Sequence, residues 1–147
     1  MSNKKDKAGA ACPCGKGAFA ACCDRFISGA EVPATAELLM RSRYSAYALR
    51  DEAYLRATWF PETLPEEELT GETDVNWIGL DIKKQTHVAG SDEATVEFVA
   101  RFKVGGKAHR MHEVSNFVRQ PDAQGTPRWY YVDGEFPGRP LDRQTGP

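Results

Sequence analysis

Val96-Glu-Phe-Val-Ala-Arg-Phe-Lys-Val-Gly-Gly-Lys-Ala-His-Arg-Met-His-Glu-Val-Ser115 is the stretch that decides the fold. Val96, Phe98, Ala100, Phe102 and Val104 alternate with Glu97, Val99, Arg101 and Lys103, a period of two that predicts a strand with one face on a core. Gly105-Gly106 is a two-residue hairpin signal, because the favoured hairpin turns need positive φ at their central positions. With that turn Val104 pairs with Lys107, Phe102 with His109, Ala100 with Met111, Phe98 with Glu113 and Val96 with Ser115. The apolar face covers the core, so Glu113 and Ser115 point inward. A buried carboxylate is costly unless paired or hydrogen-bonded. Arg41 and Arg43 are candidate partners, and a structural Glu–Arg pair competes with a polar spot in a pocket that uses Glu113 as acid, base or anchor. On the other face Arg101 opposes Arg110, a mildly unfavourable contact.

Working outward, Ile78, Leu80 and Ile82 alternate with Trp77, Gly79 and Asp81 in an earlier strand, the third strand spans about Lys107 to Arg119, and Arg128 to Asp133 form a last, aromatic strand. The N-terminal half has helical periodicity instead. Thr35 is an N-cap with Glu37 in the first turn, and Leu38, Leu39, Ser42, Ala46 and Leu49 form a 3.6-residue face. Asp51 caps a second helix that Pro61 ends, and Thr63-Leu-Pro-Glu66 fits a capping box for a short third helix to Leu69. Helices followed by strands predict an α+β domain with helices over one face of an antiparallel sheet.

The four cysteines of the chain, Cys12, Cys14, Cys22 and Cys23, all fall within twelve residues, in a segment too poor in apolar residues to form its own core. Such a cluster reads as a metal site or redox centre rather than as disulfide staples. Four thiolates match the coordination number of zinc, which would order the segment and leave no open position for catalysis. A disulfide or redox pair and an iron–sulfur site are the alternatives; a vicinal bond is strained, and the spacing differs from the usual cluster patterns. The expected organisation is a basic leader at 1–11, the knuckle at 12–29, the α+β domain at 30–134 and a loose tail at 135–147. Lys4, Lys5, Lys7, Lys16 and Arg25 give residues 1–30 a net +3, although the 147-residue chain carries −2.

Cys12-Pro-Cys-Gly followed by Cys22-Cys23 resembles the SEC-C motif, the zinc-binding element at the C-terminus of the SecA translocation ATPase; Lys16 stands where that motif usually has Ser. Leu39-Met-Arg-Ser-Arg-Tyr-Ser-Ala-Tyr47, Trp77-Ile-Gly-Leu80, Val96-Glu-Phe-Val-Ala-Arg-Phe102, His112-Glu-Val-Ser-Asn-Phe117 and Trp129-Tyr-Tyr-Val-Asp-Gly134 resemble the YchJ-like family of uncharacterised bacterial proteins. The resemblance implies a nuclear transport factor 2-like cone, three helices on a curved antiparallel sheet, behind an N-terminal SEC-C zinc knuckle. It also implies docking to a chaperone, the ribosome or a translocation component, with Lys4, Lys5, Lys7, Lys16 and Arg25 as the contact or merely as solubilising charge.

Two roles are open. One is an accessory protein that docks through the knuckle. The other is a small-molecule site or an isomerase- or dehydratase-type enzyme in the cone, with Arg41, Arg43, Tyr44, Tyr47, Trp59, Glu113, Ser115 and Asp133 as candidates; core packing is the ordinary account of the aromatic ones. A binding role is favoured over catalysis. The near-neutral charge disfavours a nucleic-acid protein, and Glu97 interrupts the stripe of Arg101, Lys103, Lys107 and Arg110. No apolar run approaches a membrane span, and the N-terminus lacks a signal-peptide core, so the cytosol is the expected address.

Overall fold

The computed structural model describes residues 10–71 and 75–137. Lys4, Lys5 and Lys7, and the far part of the expected tail, lie outside the described residues. A 3-10 turn (Phe19–Ala21) and helix α1 (Asp24–Ile27) carry the cysteine segment; helices α2 (Ala36–Leu49) and α3 (Glu52–Ala57) follow. Strands β1 (Val75–Thr86), β2 (Glu93–Val104), β3 (Lys107–Pro121) and β4 (Pro127–Glu135) complete the elements of the described residues. The four strands form one antiparallel sheet in the order β1-β2-β3-β4.

The central hairpin has the register the turn demands: Val104 pairs with Lys107, Phe98 with Glu113 and Val96 with Ser115. Gly105 and Gly106 both have positive φ, 58° and 83°, the backbone that two-residue turns of the right twist require. The Arg101–Arg110 opposition is relieved across the sheet, where Arg101 Nη1 donates to Asp81 Oδ2 at 2.6 Å.

Bulges curl the sheet and change which residues face the core. One falls between Trp77 and Gly79, and it puts Ile78 outside at 49% exposure while Trp77 turns inward against Tyr44 and Phe102. Ile78 therefore does not share a core face with Leu80, as simple alternation predicts. Along β3 and β4 the register steps from Phe117–Tyr131 to Asn116–Asp133, leaving Val132 as the extra residue.

Thr35 caps α2 by accepting from Leu38 N, and Asp51 caps α3 by accepting from Tyr54 N. Leu49, expected on the buried stripe of α2, is 51% exposed, whereas Met40, Arg43 and Tyr44 are buried. The helix is enclosed on two sides, touching β1, β2 and β4 on one and α1 on another.

The expected helix from Thr63 to Leu69 is turn and bend instead. Thr63 Oγ1 accepts from Trp59 Nε1 and donates to the Val132 carbonyl, so it does not cap. Arg56 takes the carbonyls of Pro65, Glu66 and Glu67, and the Glu52 carboxylate accepts from the N–H groups of Leu69 and Thr70. Those bonds replace the ones a helix would make. The core runs from Phe19 and Leu39 through Phe98, Phe117, Trp129 and Tyr131, with Phe136 packed against its edge. No helix among the described residues is long and apolar enough to cross a membrane.

Candidate functional site

Two sites flank α2. The first is the cysteine knuckle. Cys12 N donates to Gly17 O and Gly15 N to Cys12 O, closing a tight turn around Cys14, and Phe19 N donates to Ala10 O to tie the turn to the residues before it. Cys23 precedes α1, and its carbonyl accepts from Phe26 N and Ile27 N. The four sulfurs lie within 4.8 Å of one another, and Cys14 and Cys22 are 3.5 Å apart. Tetrahedral thiolate coordination at a metal–sulfur distance of about 2.3 Å spaces sulfurs by about 3.8 Å, so the donor set and its spacing fit one ion. All four thiols are free; Cys12, Cys14 and Cys23 are buried and Cys22 is half-buried. Burial and the Cys14 sulfur push the Cys22 thiol up to about 11, while thiols donated by Cys14 and Cys23 hold Cys12 well below its ordinary value. A divalent ion would supply the positive charge that lets buried thiols bind it as thiolates.

The knuckle grips α2 through two contacts. Cys12 Sγ meets Ser45 Oγ at 3.4 Å, and Arg41 Nη1 donates to the Cys14 carbonyl at 3.3 Å while its Nε bonds Glu37 at 2.8 Å. Arg41 thus belongs to the knuckle and not to the cone. Arg25 pairs with Glu31 and donates to the Cys22 carbonyl, and Lys16 is exposed on the loop after Cys14.

The second site lies inside the cone, in a cavity of about 20 Å³ lined by Arg43, Tyr44, Tyr47, Trp77, Ser115 and Tyr131 among apolar neighbours including Met40 and Met111. Arg43 is 3% exposed. Its Nη1 donates to the Leu55 carbonyl at 2.9 Å and to Thr58 Oγ1 at 2.7 Å, and its guanidinium lies over the rings of Trp59 and Tyr131. Glu113 is fully buried; its Oε2 accepts from Ser115 Oγ and from Tyr131 OH, each at 2.9 Å. Each group is fixed by one atom and idle at the other: Arg43 Nη2 and Glu113 Oε1 are buried with no partner among the described residues. The direct Glu113–Arg pair expected from the register does not form. Arg43 is spent on the end of α3, and Glu113 on hydroxyls. Burial pushes the Glu113 carboxyl up to about 7, against the pull of the Tyr131 and Ser115 hydroxyls and of Arg43.

The structure brings Arg43, Tyr44, Tyr47 and Ser115 to one cavity, with Trp59 behind Arg43 and Glu113 behind Ser115 and Tyr131. Asp133 is elsewhere: the extra residue at Val132 turns it to the exposed face, where it accepts from Asn116. Tyr131, Thr58 and Gly134 complete the polar site and are absent from the sequence-based candidates. Gly134 pairs with Ser115, and a Cβ there would collide with the Glu113 carboxylate. The inward alternation of Trp129 and Tyr131 is the signal that could have found Tyr131; nothing local marks the other two.

The fold and the two sites define an α+β cone behind a four-cysteine knuckle. A solved SEC-C motif containing protein from Rhodopseudomonas palustris is similar, with a TM-score of 0.69 and 32% identity over 86% of this chain and 98% of that one. So is another from Psychrobacter arcticus, with a TM-score of 0.71 and 26% identity over 94% and 87%. The family described as "YchJ, middle NTF2-like domain" matches residues 35–134. UPF0225 proteins of Ralstonia nicotianae, 58% identical over 86% of this chain and 92% of its relative, and of Chromobacterium violaceum, 55% identical over 91% and 98%, are similar along nearly their whole lengths. The chain belongs to this YchJ-like, UPF0225 family.

Proposed function

We propose that this chain is a binding protein of the cytosol, organised by one structural zinc ion, whose cone holds a small polar ligand. The observation that carries the reading is that Arg43, which lines the cavity, and Glu113, bonded to its Ser115 and Tyr131 walls, each keep one buried atom, Nη2 and Oε1, without a partner among the described residues. Buried polar atoms in native proteins nearly always have partners, and a guanidinium held on one side and idle on the other is arranged to receive one. Cys12, Cys14, Cys22 and Cys23 would hold the zinc, in a reducing compartment where thiols stay free. Bound zinc supplies folding free energy to a segment without its own core. Its four thiolates leave no open position for a substrate, which supports binding over metal catalysis. Glu113 does not itself line the cavity, which favours binding over an isomerase- or dehydratase-type proton transfer.

Native mass spectrometry of freshly purified protein tests the knuckle: one zinc and four fewer protons is the expected mass, and an apo mass with two disulfides overturns it. Ligand-detected NMR against a broad set of small polar metabolites tests the cone, and no binder from that set counts against the pocket.

A docking role for the knuckle is the second reading, favoured by one observation. Gly15, Lys16, Gly17 and Ala18 form an exposed loop on the buried cysteine cluster and carry a cation outward. A chaperone, ribosomal or translocation partner would be captured by the full chain and lost with Cys22→Ser; identical capture by both proteins removes this reading.

A further inference from the structure

The cone cavity carries one charge without a counter-charge in contact. Among the described residues Arg43 bonds only to neutral acceptors, the Leu55 carbonyl and Thr58 Oγ1, and to aromatic faces. Among them Glu113 bonds only to neutral donors. A guanidinium stays protonated wherever it is buried, so Arg43 brings a fixed positive charge to an enclosed site whose nearest carboxylate resides behind two hydroxyls. We propose that the cavity binds a small monoanion of the carboxylate class on Arg43 Nη2, and that Glu113 takes up a proton as the anion enters. The proposal rests on the cone being a ligand pocket.

The chemistry follows from placement. An anion accepting from Arg43 becomes its counter-charge, and a second negative charge on Glu113 in the same low-dielectric interior is then disfavoured. Around Glu113 the cationic pull comes from Arg43, which an anion in the cavity would cancel, while the Tyr131 and Ser115 hydroxyls are neutral and Asp133 opposes its charge. Arg43 and Tyr47 face it from α2, Tyr131 and Asp133 act on it from β4, and its own strand supplies the neutral Ser115. Burial already brings the Glu113 carboxyl to about 7, so the proton is within reach near neutral pH. A cavity needs about 10–15 Å³ to hold one water. The cavity's roughly 20 Å³ accordingly admits a head group of very few heavy atoms, with Met40, Trp77 and Met111 as its apolar walls.

Formate and its neutral counterpart formamide are the matched probes, read on the methyl resonances of Met40 and Met111 in the zinc-loaded full chain. Formate is expected to shift both methyls at pH 6, formamide to bind at least tenfold more weakly, and formate affinity to fall up to tenfold per pH unit above about pH 7. Glu113→Gln is expected to keep formate binding and lose its pH dependence, and Arg43→Gln to lose formate. Should Arg43→Gln fail to fold, the wild-type pH series and Glu113→Gln decide the matter. Formamide binding as well as formate, or formate binding that ignores pH, overturns the proposal and leaves the pocket standing. Silence of both methyls to both probes removes the pocket along with the proposal.

Discussion

Burying a carboxylate without a cation in contact costs free energy, and Glu113 shows the form that cost takes. Its folded-state value of about 7 lies above the ordinary 4.5, so between those two pH values the folded chain holds more protons than the unfolded one. The contribution of Glu113 to stability is therefore greatest below its unfolded value and falls as pH rises toward 7, by about 3 kcal/mol at about 1.4 kcal/mol per unit. Glu113→Gln removes that slope, and urea denaturation should find the variant gaining on the wild type by about 2–3 kcal/mol between pH 5 and pH 8; parallel pH profiles would sink the assignment. Gly134 belongs to the same site. Because a Cβ there meets the Glu113 carboxylate, Gly134→Ala is expected to cost about 2–4 kcal/mol as an overpacked, displaced contact. The cost should shrink by more than half in a Glu113→Ala background, which a double-mutant cycle measures. Glu113 was legible from a hairpin register alone, since side-chain direction in a strand has a period of two. Ser115 was legible with it, whereas Tyr131 and Gly134 were not, because they reach it only through a bulged neighbouring strand.

At the scale of elements, the loop after α3 is held by side chains where the sequence suggests a helix. Glu52 and Arg56 are an i,i+4 pair on α3, and each uses its remaining atoms on the backbone of residues 65–70. Although burial raises it, the N–H groups of Leu69 and Thr70 and the Thr70 hydroxyl bring the Glu52 carboxyl down to about 2. The stability it contributes is present above its unfolded value and is lost as pH falls toward 2. Glu52→Gln should cost about 1–2 kcal/mol, since charge-assisted bonds are the stronger kind, and should speed amide exchange of Leu69 and Thr70 about tenfold. Exchange unchanged from the wild type would mean that the loop is held by something else. A capping-box pattern at Thr63 misled here for a tertiary reason: Trp59 and Val132 compete for the hydroxyl.

For the whole molecule, α2 is the strut between the two sites. Ser45 and Arg41 meet the knuckle while Met40, Arg43 and Tyr44 line the cone. Removing the proposed zinc with a chelator should lower the melting temperature by at least about 4 °C, the shift that roughly 2 kcal/mol produces in a domain of this size. It should also move the Met40 methyl resonance, on the helix the knuckle grips, more than that of Met111 on β3. Equal shifts at both methionines, or none, would show that the knuckle hangs on the cone without bracing it.

The sequence by itself determined the helix-then-strand order, the central hairpin with its register and inward Glu113, and the four-cysteine cluster. Each rests on local periodicity, turn chemistry or spacing, which a chain carries without reference to distant residues. Tertiary structure alone decided that Ile78 faces out, that Arg41 serves the knuckle, that Arg43 lines the cavity while Glu113 sits behind its Ser115 and Tyr131 walls, and that Asp133 turns to the exposed face. Those outcomes depend on bulges and on competition between partners far apart in the chain, and pairing energies between distant groups are set only once the packed interior brings them together.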